Sequence, residues 1–475
     1  MNWREHLLTH NRALSRHPHG RDIAAIAAAA LDAVDPGACI RHHVHLLTTP
    51  AGPAVVVGES VFELRGRKIW IFGAGKASEA MAMALRERLG HHVAGGLIIG
   101  KHLVGPADDE RTGVILLPGD HPIPGPQSAA AGTRLRAMAA RVGPRDLVLC
   151  PISGGASALL SEPTLAPQDW ATILEHLIAR DVPIQMINRL RRRLDRFKAG
   201  GLARLFAPAT VIGLIISDVI GDEPALIGSG PTVYADAGDD EQAHGELMSA
   251  LAPKLSTLAP PLRRILLTAP TPEPAPRDPV SDRAQQVHQV LLARNGDARE
   301  AACRCARDLG WDAVVLLPAL SGQAADEGRR LATILREMPP DLPVQVPACL
   351  VTGGETTVDL GEPSGSKTSD TPPVGGRNLE LALAAVEGLA AQDPAPWGDA
   401  ALLTLATDGE DGPTDAAGAL VTAQTRARAH ALGLDAQQAL RTHQSYAYFE
   451  ALDDLIKTGP TGTNVCDLSL CFRLR

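Results

Sequence analysis

The sequence predicts a two-domain α/β protein, and three observations lead there. Its 475 residues exceed what a single hydrophobic core ordinarily organises. A pattern of apolar run, glycine-rich loop and helical stretch begins near residue 68 and begins again near residue 287. Between them lies a proline-rich segment, 240–284, whose TAPTPEPAPRDP stretch (268–279) cannot be helix interior and reads as a connection. The domains are drawn accordingly at 1–245 and 246–475.

Residues 20–34 (GRDIAAIAAAALDAV) read as an alanine-rich helix stopped at Pro36-Gly37. KIWIF (68–72) is a strand entering GAGK and then the helical SEAMAMALRERL. VAGGLIIG (93–100) and GVILLPGDHP (113–122) supply two more strands, and DLVLCPIS (146–153) is a buried strand ending in SGGAS. TVIGLIISD (210–218) ends in an acidic, glycine-containing loop. Runs this apolar, alternating with helices, point to a parallel sheet covered on both faces. In the second half, VHQVLLA (287–293) reads as a strand, DAREAACRCARDL (297–309) as a helix and DAVVLLP (312–318) as a strand. A strand is expected within 344–358 running into a glycine turn. ALLTLATDGEDG (401–412) reads as a strand with an acidic loop, followed by a helix introduced by Pro413-Thr414-Asp415. GEPSGSKTSDTPPV, before Gly375, is expected to be a mobile loop.

Composition excludes several classes of function. With 45% hydrophobic and 21% charged residues the chain is globular, and a net charge of −9 opposes nucleic acid as the main partner. The basic run Arg189, Arg191, Arg192, Arg193 and Arg196 is the local exception, read as a solvated helix face or an attractor of an anionic substrate. The N-terminus has no secretory pattern, and the most apolar tracts, such as VIGLIIS (211–217), are too short to span a bilayer, so no membrane partner is expected. Seven scattered cysteines without framework or zinc spacing fit reduced thiols in the cytoplasm. Only 7 of the 45 basic residues are lysines, so a lysine inside a glycine-rich loop suggests a need for a compact point charge.

In open parallel sheets, ligands bind beyond the carboxyl ends of strands. Five stretches hold that position: GAGKAS (73–78), SGGASA (153–158), SDVIGDEP (217–224), TGGETT (352–357) and TDGEDGPTD (407–415). GAGKAS is no P-loop, since Trp70 stands where the first glycine is required. It is no dinucleotide fingerprint either, because Ser78 replaces the third glycine and the next strand ends Ile99-Gly100-Lys101 without an acid for the ribose. What remains is Lys76 at a helix N-terminus, aimed at an anion. SGGASA suits a phosphate or carboxylate, and without a G-x-S-x-G elbow Ser153 is not expected to be a covalent nucleophile. Asp218 and Asp222 bracket a turn after a buried strand and either bind Mg²⁺ or cap the turn, and Asp408 and Asp411 pose the same choice. His121 is either a loop anchor or a substrate contact.

GAGKAS, GDHPIP, PISGGASALL, SDVIGDEPALIGSGPT, TGGETTV, GGRNLE, TDGEDGPTDAAGA and KTGPTGTNV, in that order, resemble the glycerate 2-kinases of the MOFRL type (class II glycerate kinases) over nearly the whole chain. The resemblance implies a Rossmann-like N-terminal domain, a smaller α/β MOFRL-type C-terminal domain and an active site in the cleft between them. It implies phosphorylation of D-glycerate at its 2-hydroxyl by ATP with Mg²⁺, giving 2-phosphoglycerate and ADP. Lys76 and Arg377 match the positions regarded as central in that family. With Asp218 they form the expected catalytic set, stabilising the migrating phosphoryl group or the glycerate carboxylate from the two sides of the cleft. Nucleotide phosphates are expected at Gly73, Gly75, Ser153, Gly154, Gly155, Ser157, Thr461 and Asn464, and substrate at His121, Lys198 and Glu355. Asp218, Asp222 and Asp408 are the expected metal ligands, and residues 440–475 are expected to fold back on the first domain.

The chain departs from the family pattern at Ala156, where a glycine is usual, at Arg192-Arg193 for Lys-His, and at Ala199 within a Lys-Gly-Gly unit. It departs also at Leu379 for Gln, at Cys466 for Asn, and in a longer insertion before Gly375. Partners are expected to be small molecules, with a homodimer as the candidate assembly. The rival readings are a nicotinamide-dependent hydroxypyruvate reductase, opposed by the missing fingerprint, and a non-catalytic nucleotide-binding protein, opposed by the Lys and Asp residues in the loops.

Overall fold

The computed structural model describes residues 1–101, 103, 113–180, 182–234, 241–269, 286–340, 342–360, 373–390 and 400–474. The chain forms two compact units, Pro36–Ala293 and Met1–Asp35 with Arg294–Arg475. The boundary drawn in the sequence at 245/246 therefore differs from the division by contacts, which falls at 293/294 and assigns the first 35 residues to the C-terminal unit. Most of TAPTPEPAPRDP and residues 361–372 of the expected mobile loop lie outside the described residues. Within the expected connection, Glu241–Leu255 and Pro260–Thr268 are helices that pack apolar residues against Pro167–Ile178 and Ile184–Leu194.

The Pro36–Ala293 unit opens with a feature the sequence reading missed. β1 (Val44–Thr49), β2 (Gly52–Val57) and β3 (Ser60–Glu63) form an antiparallel meander joined by the two-residue turns Pro50-Ala51 and Gly58-Glu59. The main sheet comprises β4 (Ile69–Ala74), β5 (Val93–Gly100), β6 (Val114–Pro118), β7 (Leu147–Ile152), β8 (Thr210–Ile216) and β9 (Val287–Ala293). Their order is β6-β5-β4-β7-β8-β9, and every pairing is parallel. VHQVLLA, expected to start the second domain, is thus the last strand of the first sheet. Its three-residue apolar end reads alike in either role, and only the register with β8 decides.

β4 and β7 are buried at every position, as strands covered on both faces must be. Trp70, which disqualified a P-loop, fills this core: 2% exposed, it stacks toward Phe72 and donates its indole N–H to Asp146 Oδ2 at 3.0 Å. Burying such side chains contributes roughly 1.5–3 kcal/mol each. The sheet's order reverses between β4 and β7, whose connections run to opposite edges, so their carboxyl ends flank the switch point at which such sheets bind ligands.

The second unit has a mixed sheet of β10 (Asp312–Val315), β11 (Ala348–Gly354), β12 (Ala400–Ala406), β13 (Gly418–Thr422), β14 (Leu455–Ile456) and β15 (Asp467–Arg473). The order is β10-β11-β15-β12-β13-β14, with only β10 and β11 parallel. After TDGEDG the sequence suggested a helix introduced by Pro413, but the chain turns back as β13, antiparallel to β12. Thr404 fixes that turn, donating toward Ala419 O and accepting from Ala419 N at 3.1 Å. The C-terminal segment supplies β15, the strand between β11 and β12. Before it, Lys457 and Thr463 bind Asn11 and Val34, which belong to the same unit.

The helix Gly20–Ala33 matches the alanine-rich expectation, although Pro36 opens the next helix, Pro36–His43, instead of only ending the first. The helix Asn295–Asp308 covers the expected DAREAACRCARDL. Arg377–Leu389 is buried at ten of its thirteen positions, which explains its all-round apolar sequence. Among the described residues no single helix is long and apolar enough to cross a membrane.

Candidate active site

At the switch point the two glycine-rich loops are laced into one surface. Lys76 N donates to Gly154 O at 2.9 Å, and Ser153 Oγ accepts from Ala77 N at 2.9 Å. Ser78 Oγ donates to Pro151 O at 3.0 Å, which ties the start of the helix Ser78–Leu89 to β7. Gly75 is required here: its φ is 140°, and a Cβ would meet Ser153 Oγ at 2.1 Å. Gly73 and Gly154 are buried, and Lys76 is half-buried. Ser153 is fully buried, so it braces the loops and is not placed as a nucleophile.

His121 adjoins this surface, because a Cβ on Gly155 (φ 84°) would lie 3.1 Å from its imidazole Cδ2. Ser157 meets Ser229 through a 2.9 Å hydroxyl–hydroxyl bond, which draws the end of the SDVIGDEPALIGSGPT loop onto the SGGASA loop. Asp218 lies two residues beyond the end of β8, the neighbour of β7, and Asp222 sits in the turn after it, its N–H on Val219 O and its φ at 56°.

Lys198 stands apart from the other expected substrate ligands. It is 1% exposed, and its ammonium donates to Ala156 O and Leu160 O, the carbonyls of the short helix Ala156–Leu159 and its end. Burial pulls its pKa down to about 8, against the attraction of Asp195 and together with the repulsion of Arg191. A cation on helix carbonyls is structural in placement, and it shapes the SGGASA loop from behind. The basic run is not a plain solvated face either. Arg191 is 6% exposed, with its pKa lowered to about 10 by burial in spite of Asp195.

In the second unit the focus is Arg377, the first residue of its helix. Its Nε donates to Asp467 Oδ2 at 2.5 Å, Nη2 approaches Asp467 Oδ1 at 3.4 Å, and Nη1 pairs with Glu355. Burial disfavours the charge, yet Asp467 and Glu355 together hold the guanidinium pKa above its ordinary value. Sheet register makes this possible, because Gly354 and Ala406 both pair with Asp467 across β15. The same edge carries Asp408, whose Oδ1 accepts from Glu410 N at 3.1 Å and whose carbonyl accepts from Thr461 N at 3.2 Å. Thr461 Oγ1 donates to Thr407 O, and Asn464 Oδ1 accepts from Cys466 N at 3.2 Å. Thr461 is therefore held against the Thr407-Asp408 backbone. Asp411 takes the capping alternative, accepting from Asn378 N at 3.0 Å and Leu379 N at 2.8 Å.

Sequence reasoning missed Asp467 and Asn295. Asp467 is the single charge in an otherwise apolar VCDLSLCF run, and that isolation was the available signal. Asn295 gave none. Its buried amide donates to Val465 O at 2.8 Å and Asp467 O at 3.0 Å, so it fixes the approach to β15.

Residues 22–256 match the family model described as a domain of unknown function, DUF4147, and residues 348–467 match the MOFRL family model. A D-glycerate 2-kinase of Thermotoga maritima is 31% identical, aligned over 88% of this chain and 93% of its own. The chain belongs to the MOFRL-type glycerate 2-kinase family. A crystal structure of a glycerate kinase from the same bacterium superposes with a TM-score of 0.73 at 28% identity, covering 94% of this chain and 98% of that one. A protein of Agrobacterium vitis, provisionally named a hydroxypyruvate reductase, is 37% identical over 84% of this chain and 97% of its own.

Ala199 has φ 49° and Cys466 has φ 65°. Glycine and Asn tolerate this left-handed region readily, and the residues present adopt it at a cost.

Proposed function

We propose that this protein is an ATP-dependent glycerate 2-kinase, transferring the γ-phosphoryl group of ATP to the 2-hydroxyl of D-glycerate. The observation that carries the reading is the pair of interlaced loops at the β4/β7 switch point, built of glycine backbone and buried serine hydroxyls and carrying the half-buried Lys76. Phosphoryl transfer needs positioning and charge neutralisation more than covalent participation. Lys76 supplies a mobile point charge, and Gly73, Gly75, Gly154, Gly155 and Ser157 allow phosphate oxygens to approach backbone N–H groups closely. Arg377 supplies a planar fork for a carboxylate or phosphate, with its Nε edge already held by Asp467. His121, beside Gly155, would touch substrate, and Thr461 adds a hydroxyl beside Asp408.

Among the described residues no three carboxylates, imidazoles or thiols gather into a cluster able to hold a metal ion. The carboxylates present fit Mg²⁺ in its usual manner, where one or two carboxylates join water and phosphate oxygens. Asp218 and Asp222, on the loop after β8, would hold it, and when bound it would neutralise charge on the phosphates. Asp218, just beyond β8, is the candidate to accept the hydroxyl proton.

The test is incubation with ATP, Mg²⁺ and D-glycerate and identification of the product. 2-Phosphoglycerate is expected, 3-phosphoglycerate would overturn the regiochemistry, and no product would remove the reading. NADH oxidation by hydroxypyruvate without ATP would favour the reductase name carried by the Agrobacterium relative.

A further inference from the structure

The backbone on each side of Arg377 is clamped by a residue that bonds neither its guanidinium nor a strand partner there. Asp411 is 1% exposed, and its two carboxylate oxygens each take one backbone N–H, those of Asn378 and Leu379. On the other side Gly376 lies so close that a Cβ there would be 2.4 Å from Asp411 Cγ. The Asp411 loop is itself braced, since Asp411 N donates to Ala416 O at 2.7 Å and a Cβ on Gly412 would lie 2.4 Å from Gly375 O. Arg377 thus departs from a backbone fixed at both neighbours, while Asp467 holds its Nε edge from the far end. A long side chain pinned at root and tip has few rotamers left to lose when it binds an anion. Helix stability alone would be served by a neutral Ser, Thr or Asn cap, without burying a carboxylate.

We propose that Asp411 is a positioning residue for Arg377, acting through the first turn of the helix Arg377–Leu389. The inference rests on the proposed role of Arg377 in glycerate phosphorylation. Its test is a double-mutant cycle of wild type, D411N, R377A and the double variant, followed with radiolabelled ATP and by hydrogen exchange of residues 376–380. D411N should lower kcat/KM by about tenfold or more, mostly in kcat, and by less than about twofold when Arg377 is already alanine. Exchange at 376–380 should quicken while the helix Ser78–Leu89 stays protected. Unchanged activity, or equal losses in both backgrounds, would overturn the proposal and leave Asp411 a purely structural cap. If D411N does not fold, D411S, smaller and still an acceptor, takes its place in the cycle. A wild-type protein that phosphorylates no glycerate would strike the proposed function instead. The inference would then be decided by exchange alone, unchanged protection at 376–380 overturning it.

Discussion

The loops around Lys76 and around Arg377 are held together by opposite means. The two loops that carry Lys76 are joined by neutral groups: backbone amides, a buried serine hydroxyl and glycines that let the loops touch. Around Arg377 the joining groups are ionic, with Asp467 and Glu355 on the guanidinium and a buried Asp411 under the helix start. The difference follows from the sheets. Parallel strands β4 and β7 deliver their loops side by side, so short local bonds suffice. In the mixed sheet the Arg377 partners come from residues 355 and 467, distant in sequence, and charge holds them together. The first edge should tolerate loss of its cation, whereas the second should not.

The largest expected effect concerns pH. Burial, the leading cause, pushes Asp411 up to about 7, and Asp467 adds to it against the pull of the Asn378 and Leu379 amides and Arg377. The folded state therefore holds this proton more tightly than the unfolded chain, which releases it near 3.8. Its stabilisation is full below about pH 4 and is lost as pH rises through about 7, by up to about 4 kcal/mol. Urea melts across that range should show a shallower decline in D411N than in wild type, and equal slopes would refute the ionic account of this edge. Next, R377M leaves the Asp467 carboxylate buried without its partner and should cost about 3 kcal/mol in the same assay, besides lost activity. A fully stable R377M would erase the contrast between the two edges.

K76M should lower turnover by more than about tenfold, roughly 1.4 kcal/mol in barrier, with an unchanged melting temperature. Near-normal activity in the folded variant would remove Lys76 from the mechanism. Ala199→Gly relieves a left-handed alanine and should stabilise by about 1 kcal/mol, read as a raised melting temperature. The smallest effect belongs to E355Q, since that pair is 45% exposed on the glutamate side and surface pairs contribute about 0–1 kcal/mol to stability. A larger loss would show that the outer ion pair also carries the Arg377 edge.

Legibility in the sequence followed the range of the interactions. SEAMAMALRERL and VAGGLIIG form a helix and a strand with the expected bounds, because periodicity and glycine punctuation act within a few residues. The Lys76, Ser153 and His121 loops were likewise identifiable, each lying at the end of an apolar strand. The motif around Lys198 gave the residue but not the carbonyls it faces. The strand after Pro413 was misjudged because an alanine-rich run fits helix or hairpin until Thr404 opposes Ala419.

The sequence alone determined that the chain is α/β, that its ligand loops follow buried strands, that Trp70 and Ser78 exclude two nucleotide motifs, and that the motif series is that of one kinase family. Only the tertiary structure decided that VHQVLLA closes the first sheet, that β15 lies between β11 and β12, that residues 1–35 belong with the C-terminal unit, and that Asp467 grips Arg377. The physical reason is common to all four. Strand register and buried ion pairs join residues tens to hundreds of positions apart, and their free energy depends on what lies opposite, which no local pattern encodes.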